Sequence, residues 1–344
     1  MKFIWLHIVR FYLRLGLFFY YRRIYVYNQF QVPKSGSLLL VSNHNNALID
    51  ALLIAINSGR FSYFLTRASV FKKPLINAFL RSLNMLPVYR IRDGWSTISN
   101  NNSIFNSCSQ LLSKGQTVAL FPEGNHNIKR SVRNLSKGFT RIVFETFEKY
   151  PKTSLKIVPI GLNFQQADAF ADSVSIHFGE PIEKQDYYSN DTNESVVKLK
   201  NQVSQAIKQL TTHIPADNYE ETLFKLNQLH ADFLNPIAVN TCIQSNFQDC
   251  DVRKEETNLK VLKSIFKFLL IVMLLPVWAI WRLWIKPKIE EVEFVATFRY
   301  ALVITLVPLW LLVVALTLMS TFGIGYGLAW MIATMVIALL AVKL

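Results

Sequence analysis

Cysteine is scarce in this chain. Its 344 residues hold three, Cys108, Cys242 and Cys250, too few and too scattered for a disulfide framework or a structural zinc site. They read as free thiols in a reducing compartment. Acidic residues are also in short supply, with 23 Asp and Glu against 37 Lys and Arg, a formal net charge of +14. Such a balance points to an anionic partner: nucleic acid, anionic lipid headgroups or an acidic carrier protein. No helix-turn-helix, zinc-finger or RNA-binding signature is present, so no nucleic acid is expected as a partner. A third absence is local. Residues 300–342 contain no Asp, Glu, Lys or Arg, whereas 186–262 is polar. The composition is therefore a mixture of a soluble domain and membrane segments.

The charge-free stretch is long enough for two spans of about 20 residues each. Ser320, Thr321, Gly323, Gly325 and Gly327 mark the turn between them, and a hairpin would put Arg299 and Lys343 on one side. Phe268 to Ile285 is a weaker span, broken by Pro276 and carrying Arg282. At the other end, the apolar run is interrupted by His7, Arg10 and Arg14, and no small-residue cleavage site follows. Their spacing of three and four makes one polar stripe on a helix otherwise rich in Phe, Leu and Trp. This predicts a basic helix within 1–30 lying in a membrane interface, with Arg22 and Arg23 reaching headgroups. The alternative is a helix packed on the core of the soluble domain.

Between these ends, short apolar runs alternate with turns: Leu38 to Val41, Phe61 to Leu65, Met85 to Tyr89, Thr117 to Phe121, Lys156 to Leu162 and Val174 to Phe178. Longer helical stretches separate several of them. The pattern predicts an α/β fold, a mostly parallel sheet flanked by helices, over 35–215. Residues 194–210 carry Val196, Leu199, Val203, Ile207 and Leu210 at helical spacing. Residues 216–262 read as a polar helical linker and 263–344 as the membrane region.

In open α/β sheets, ligands bind beyond the carboxyl ends of the strands. The residues that follow the strands are Ser42-Asn43-His44, Thr66-Arg67, Arg90, Pro122-Glu123-Gly124 and Asn163. If the strands are parallel, a base, an acid and two arginines share one edge. A histidine can take a proton from an alcohol near neutral pH. A carboxylate on its other ring nitrogen fixes the tautomer. Asp50 follows His44 by six residues, about 600° of helix, so the two cannot share a helical face. His44 must lie in a loop before the helix that carries Asp50, and Asn45-Asn46 suits that loop and could cap the helix.

The block from His44 to Asp50 resembles the signature of the glycerophospholipid acyltransferase superfamily, in which a histidine precedes an aspartate across a short spacer. The usual spacer is four residues and here it is five, as in a branch that includes glycerol-3-phosphate acyltransferases. Leu86-Pro87-Val88-Tyr89-Arg90, Phe121-Pro122-Glu123-Gly124 and Ile157-Val158-Pro159-Ile160-Gly161-Leu162-Asn163 resemble the next three blocks in order, and Phe178-Gly179-Glu180-Pro181-Ile182 the segment that often follows. After the third block the family commonly continues with Thr and Arg. Here Asn125-His126-Asn127 stands instead, with Lys129, Arg130 and Arg133 just beyond. The resemblance implies an O-acyltransferase of phospholipid synthesis that needs no cofactor and no metal. His44 would deprotonate an acceptor hydroxyl, oriented by Asp50. Arg90, with Arg67 or Lys137, would hold the acceptor phosphate. Glu123 would bond the glycerol, and Gly124 would allow close approach. The donor would be acyl-CoA or acyl carrier protein, and the acceptor 1-acyl-glycerol 3-phosphate, glycerol 3-phosphate or another lysophospholipid. Anionic membrane lipid is the further expected partner, and an integral membrane location with the catalytic domain on the cytoplasmic side is expected. A reading of another class is a non-catalytic lipid-binding protein on the same fold.

Overall fold

The computed structural model of the chain describes residues 1–89, 101–251 and 259–344. Helix α1 spans Lys2–Tyr20, and strand β1, Arg23–Tyr27, follows it at once. The central alternation comes next: β2 Ser37–Ser42, α2 Ala47–Asn57, β3 Ser62–Arg67, α3 Pro74–Ser82, β4 Met85–Val88, α4 Asn101–Ser113, β5 Thr117–Leu120, α5 Gly138–Lys149, β6 Leu155–Phe164 and β7 Ser173–Phe178. Beyond the sheet come α6 Thr192–Leu210, α7 Tyr219–Gln228, α8 Pro236–Gln244, α9 Lys260–Met273, α10 Leu275–Ala279, α11 Val295–Phe322 and α12 Ile324–Lys343.

The seven strands are ordered β1-β7-β6-β2-β5-β3-β4. The five from β6 to β4 are mutually parallel, β7 is antiparallel to β6, and β1 is parallel to β7. Every residue of β2 is buried, as an unbroken apolar run on a central parallel strand requires. Its residues alternate between two cores. Leu38 and Leu40 pack with Ile49, Leu53 and Tyr300 on one face, Leu39 and Val41 with Phe139, Ile142 and Leu199 on the other. The mostly parallel α/β sheet is thus observed, with β1 as an addition. That strand lies where the sequence predicts the tail of an interfacial helix. The helix stops at Tyr20 because the chain turns extended at Tyr21, and Ile24 and Val26 then pair with Val174 and Ile176.

The polar stripe of α1 faces protein. Arg10 donates through Nε to Ala55 O at 3.0 Å, Arg14 through Nη2 to Ile56 O at 3.2 Å, and His7 lies 4.8 Å from the Phe61 ring. Ala55 and Ile56 belong to the last turn of α2, where carbonyls lack helical partners and the dipole favours cations. Phe3, Ile4, Ile8, Phe11 and Phe18 of the same helix are exposed. The helix is long and apolar enough to cross a membrane.

Helices α11 and α12 form the expected hairpin. The chain breaks at Gly323, whose φ of 103° is open to glycine. Lys343 Nζ donates to Tyr21 O at 2.8 Å, and Arg299 Nη1 donates to Asp168 O at 3.0 Å and to Tyr20 Oη at 3.5 Å, so both cations reach the same corner of the domain. Before the hairpin, Lys260–Met273 and Leu275–Lys288 meet at a 95° bend, the geometry of a broken span or a re-entrant loop. Residues 216–251 hold α7, α8 and a small core of their own around Leu226, Phe233 and Val239. There Cys242 and Cys250 are disulfide-bonded, which corrects the reading of all three cysteines as free thiols. Asn246 and Phe247, both with positive φ, turn the chain so that Phe247 N reaches Cys242 O at 2.8 Å. Cys108 remains free and buried, its thiol pushed up to about 12 by burial.

Two outcomes are expected. In β6, a Cβ on Gly161 would lie 2.0 Å from Leu210 O, the end of α6. Gly161→Ala should destabilise the domain by about 1–3 kcal/mol, the range for overpacking, or by more because the obstacle is backbone. Thermal melting in detergent measures it, and an unchanged melting temperature would mean α6 is free to move aside. The full-length chain should also stay with the membrane pellet through high salt and alkaline carbonate, because insertion of apolar helices is not screened. Release of the intact protein into the wash would contradict that.

Candidate active site

The site is built on the loop between β2 and α2. Asn43 ties it to β6: Leu162 N donates to Asn43 Oδ1 at 2.8 Å, and Asn43 Nδ2 donates to Leu162 O at 2.9 Å. Asn45 Nδ2 donates to Asn127 O at 2.9 Å and Lys129 O at 3.1 Å, and Asn46 Nδ2 to Ala167 O at 2.7 Å. The asparagines are therefore tethers. Asn46 is the N-cap of α2, but its side chain makes no capping bond, in contrast to the sequence reading. Asp50 does that work from inside the helix. Its Oδ2 accepts from Asn45 N and Asn46 N, each at 2.7 Å.

The same oxygen lies 2.8 Å from His44 Nδ1. Asp50 is fully buried and the His44 side chain is 10% exposed. With Nδ1 held, Nε2 is the ring nitrogen left for a substrate, the arrangement a general base requires. The imidazole stacks on Phe121 at 3.9 Å with an 11° interplanar angle. Ala47 is held at a φ of 36°, a left-handed conformation unfavourable for a residue with a Cβ, at the junction of loop and helix.

Phe121 opens the turn after β5. Gly124 N donates to Phe121 O at 3.1 Å, and Gly124 takes a φ of 79°. The turn buries the Glu123 side chain, which is 3% exposed and pairs with Arg133 at 2.6 Å. Burial pushes the Glu123 carboxyl up to about 7, with the Arg133 guanidinium pulling the other way. Arg133 also bonds the Asn125 side chain and carbonyl. Arg130 donates to Phe164 O at 2.7 Å and Gln165 O at 2.8 Å, and burial lowers it to about 10. Glu123 and Arg130 line a cavity of about 50 Å³ with Asn43, Asn45, Asn163 and Thr212. Of the three cations beyond the altered third block, Arg130 lines this cavity, Arg133 holds Glu123, and Lys129 turns outward to Glu220.

His44, Asp50, Glu123 and Gly124 thus come together at the carboxyl ends of β2 and β5. Arg67, the last residue of β3, and Lys137, the N-cap of α5, are exposed and do not line the cavity. Arg90 lies outside the described residues. Sequence reasoning did not connect the site to the segment that leads into α11. Ile128 N donates to Glu293 Oε1 at 3.2 Å, and the Phe294 ring lies 4.7 Å from His126, which stands edge-on 5.6 Å from His44. No local pattern announces a contact across more than 160 residues. His126, Glu291 and Glu293 bring ligand atoms within 4.8 Å of one another, the one such group among the described residues that could hold a metal ion.

Residues 23–163 match the model of the Acyltransferase family. A stretch of 127 residues is 24% identical to glycerol-3-phosphate O-acyltransferase 1 of Saccharomyces cerevisiae, over 35% of this chain and 16% of that protein. Another of 132 residues is 27% identical to the chloroplastic 1-acyl-sn-glycerol-3-phosphate acyltransferase LPAT1 of Arabidopsis thaliana, over 38% of this chain and 33% of that protein. The curated relatives are matched over only 16% to 37% of their own length. Among solved structures, the 1-acyl-sn-glycerophosphate acyltransferase PlsC of Thermotoga maritima aligns with a TM-score of 0.40 and 20% identity, over 54% of this chain and 69% of that one.

Glu123 makes stability pH-dependent. Its carboxyl ordinarily titrates near 4.5 and in the folded protein near 7. Between those values the native state holds a proton that the unfolded chain releases. The contribution is therefore full below about 4.5 and lost as pH rises through about 7. Glu123→Gln should flatten this part of the profile of melting temperature against pH. Parallel profiles for variant and parent would show that Glu123 is ionised throughout.

Proposed function

We propose, for a chain whose catalytic domain belongs to the glycerophospholipid acyltransferase superfamily, that it moves a fatty acyl chain from acyl-CoA or acyl carrier protein to the free hydroxyl of 1-acyl-glycerol 3-phosphate. The observation that carries this reading is the His44–Asp50 contact of 2.8 Å, at the carboxyl end of a buried parallel strand. Asp50 fixes the imidazole with Nε2 toward the acceptor. Nε2 takes the hydroxyl proton as the oxygen attacks the thioester carbonyl. The C–S bond then breaks, and the leaving thiolate recovers the proton from the imidazolium. Glu123 bonds the glycerol, in its protonated form as a donor and as the anion otherwise. Arg90 holds the acceptor phosphate. Arg67 and Lys137 add positive charge for an anionic substrate.

Glycerol 3-phosphate is the second acceptor reading. It is favoured by the five-residue spacer between His44 and Asp50 and by the name of the yeast relative. The catalytic domain is proposed to face the cytoplasm, where acyl thioesters are made. The Cys242–Cys250 disulfide argues for the other side, since such bonds are rare in reducing compartments. Protease protection in sealed vesicles decides between the two.

The central test supplies purified full-length protein with labelled acyl-CoA and a panel of acceptors. Acylation of 1-acyl-glycerol 3-phosphate is expected, and His44→Ala should lower turnover by roughly a hundredfold or more, the scale of general-base catalysis. Arg90→Ala should raise KM for the phosphorylated acceptor far more than for the acyl donor. Near-normal turnover in the His44 variant would remove the general base. Absence of transfer to any acceptor would favour the non-catalytic lipid-binding reading.

A further inference from the structure

Two neighbouring cavities lie in the membrane region, and the larger one reaches the first helix. The larger, about 450 Å³, lies among α1, α9, α11 and α12, with Leu15, Leu274, Leu312 and Met335 on its walls. The smaller, about 330 Å³, carries Lys267, Trp281 and Arg299. Phe170, Leu270, Leu274, Val303 and Val307 line both, so the two lie side by side and together make a cleft along α9 and α11. Its lining is almost wholly apolar, and both of its charged lining residues are cations at one end.

That charged end adjoins the catalytic domain. Asp168 O accepts from Arg299, and Phe170 forms cleft wall. One residue earlier in the same loop, Ala167 lines the cavity beside Glu123 and accepts from Asn46. The loop of 167–170 thus borders the active-site cavity at its start and the cleft at its end. Helix α11 spans the same distance: Phe294, just before it, packs on His126, and Arg299 is five residues on, about 7.5 Å along the axis. A molecule that puts an anionic end near Arg299 and Lys267 and an apolar tail deep in the cleft would have its polar end beside this loop.

We propose that this cleft takes the fatty chain of a single-chain anionic glycerophospholipid, the acceptor itself, with Lys267 and Arg299 at the mouth drawing the phosphate-bearing end toward the His44 side. The inference rests on the acyltransferase reading and deepens it. Helices α9, α11 and α12 become part of the acceptor site, beyond their role in the membrane. Charge complementarity selects the occupant, because the acyl donor needs no cation at the mouth of its chain pocket whereas a lysophospholipid carries its phosphate a glycerol away from its chain.

The experiment uses full-length protein in neutral-lipid nanodiscs, with the His44→Ala variant so that nothing turns over. The probe is 1-acyl-glycerol 3-phosphate with a diazirine near the chain end. Photolysis should label peptides containing Leu312 and Met335, and unlabelled 1-acyl-glycerol 3-phosphate should reduce that labelling about tenfold. Labelling confined to 35–215, or spread over the outward faces of α1 and α12, would overturn the proposal. So would displacement by a diacyl phospholipid alone, which would mark a structural lipid, or by acyl-CoA alone, which would mark the donor chain. With His44 restored, Ala338→Trp should raise KM about tenfold for a long-chain acceptor and less than twofold for a six-carbon one. Lys267→Glu keeps the cleft wall and should raise KM for both acceptors. Equal sensitivity of the two chain lengths to Ala338→Trp counts against the cleft. If the parent protein transfers no acyl group while the cleft is labelled, the acyltransferase reading fails by itself. If transfer proceeds and the cleft is unlabelled, only this inference fails.

Discussion

One carboxylate oxygen, Asp50 Oδ2, collects the His44 ring and the backbone N–H groups of Asn45 and Asn46. Each of the three donors would be left without its partner if Asp50 were removed, and buried donors left unpaired are costly. The oxygen sits at the amino end of α2, where the helix dipole favours its charge. Its position is set by the core, because Ile49 and Leu53 anchor the same helix under the sheet. Packing thereby orients the His44 imidazole: core to helix, helix to carboxylate, carboxylate to ring. The asparagine tethers to β6, to the turn after β5 and to the loop after β6 extend the same constraint to the rest of the site.

The membrane-facing half follows a complementary rule. On α1 the cations turn inward to the carbonyls that end α2, while Phe3, Ile4, Ile8, Phe11 and Phe18 remain exposed. A water-soluble helix has the reverse distribution. The domain therefore presents apolar surface on the side where α11 and α12 continue it. The segment before α11 then reaches over to His126, so the membrane region and the turn after β5 share a boundary.

Much of this was legible in residue patterns, and the failures have physical causes. Continuous apolar runs marked β2, β5 and β6, because parallel strands are buried on both faces. The period of Leu199, Val203 and Ile207 marked α6, and the glycines after Thr321 marked the hairpin. The offset of six residues between His44 and Asp50 was enough to place one in a loop and the other on a helix. Strand β1 escaped because five residues after an aromatic-rich helix carry little signal, and its partner β7 is some 150 residues away. The direction of the Arg10 and Arg14 stripe depended on what lay beside it, as did the partners of Arg130 and Arg133. The Cys242–Cys250 pair depended on a local turn through Asn246 and Phe247 that composition does not encode.

Lys343 closes onto Tyr21 and Arg22, and its ammonium lies over the Phe18 ring. The seat of α1 is thus completed by α12, across a sequence separation of 322 residues. During synthesis the sheet can assemble before α1 meets α11 and α12, and the cover over His126 cannot arrive until Glu293 and Phe294 have emerged. A nascent chain passes through a stage with its sheet formed and its active-site loop uncovered. Its slowest contacts are those of greatest sequence separation, so the docking of α12 against α1 comes after growth of the core.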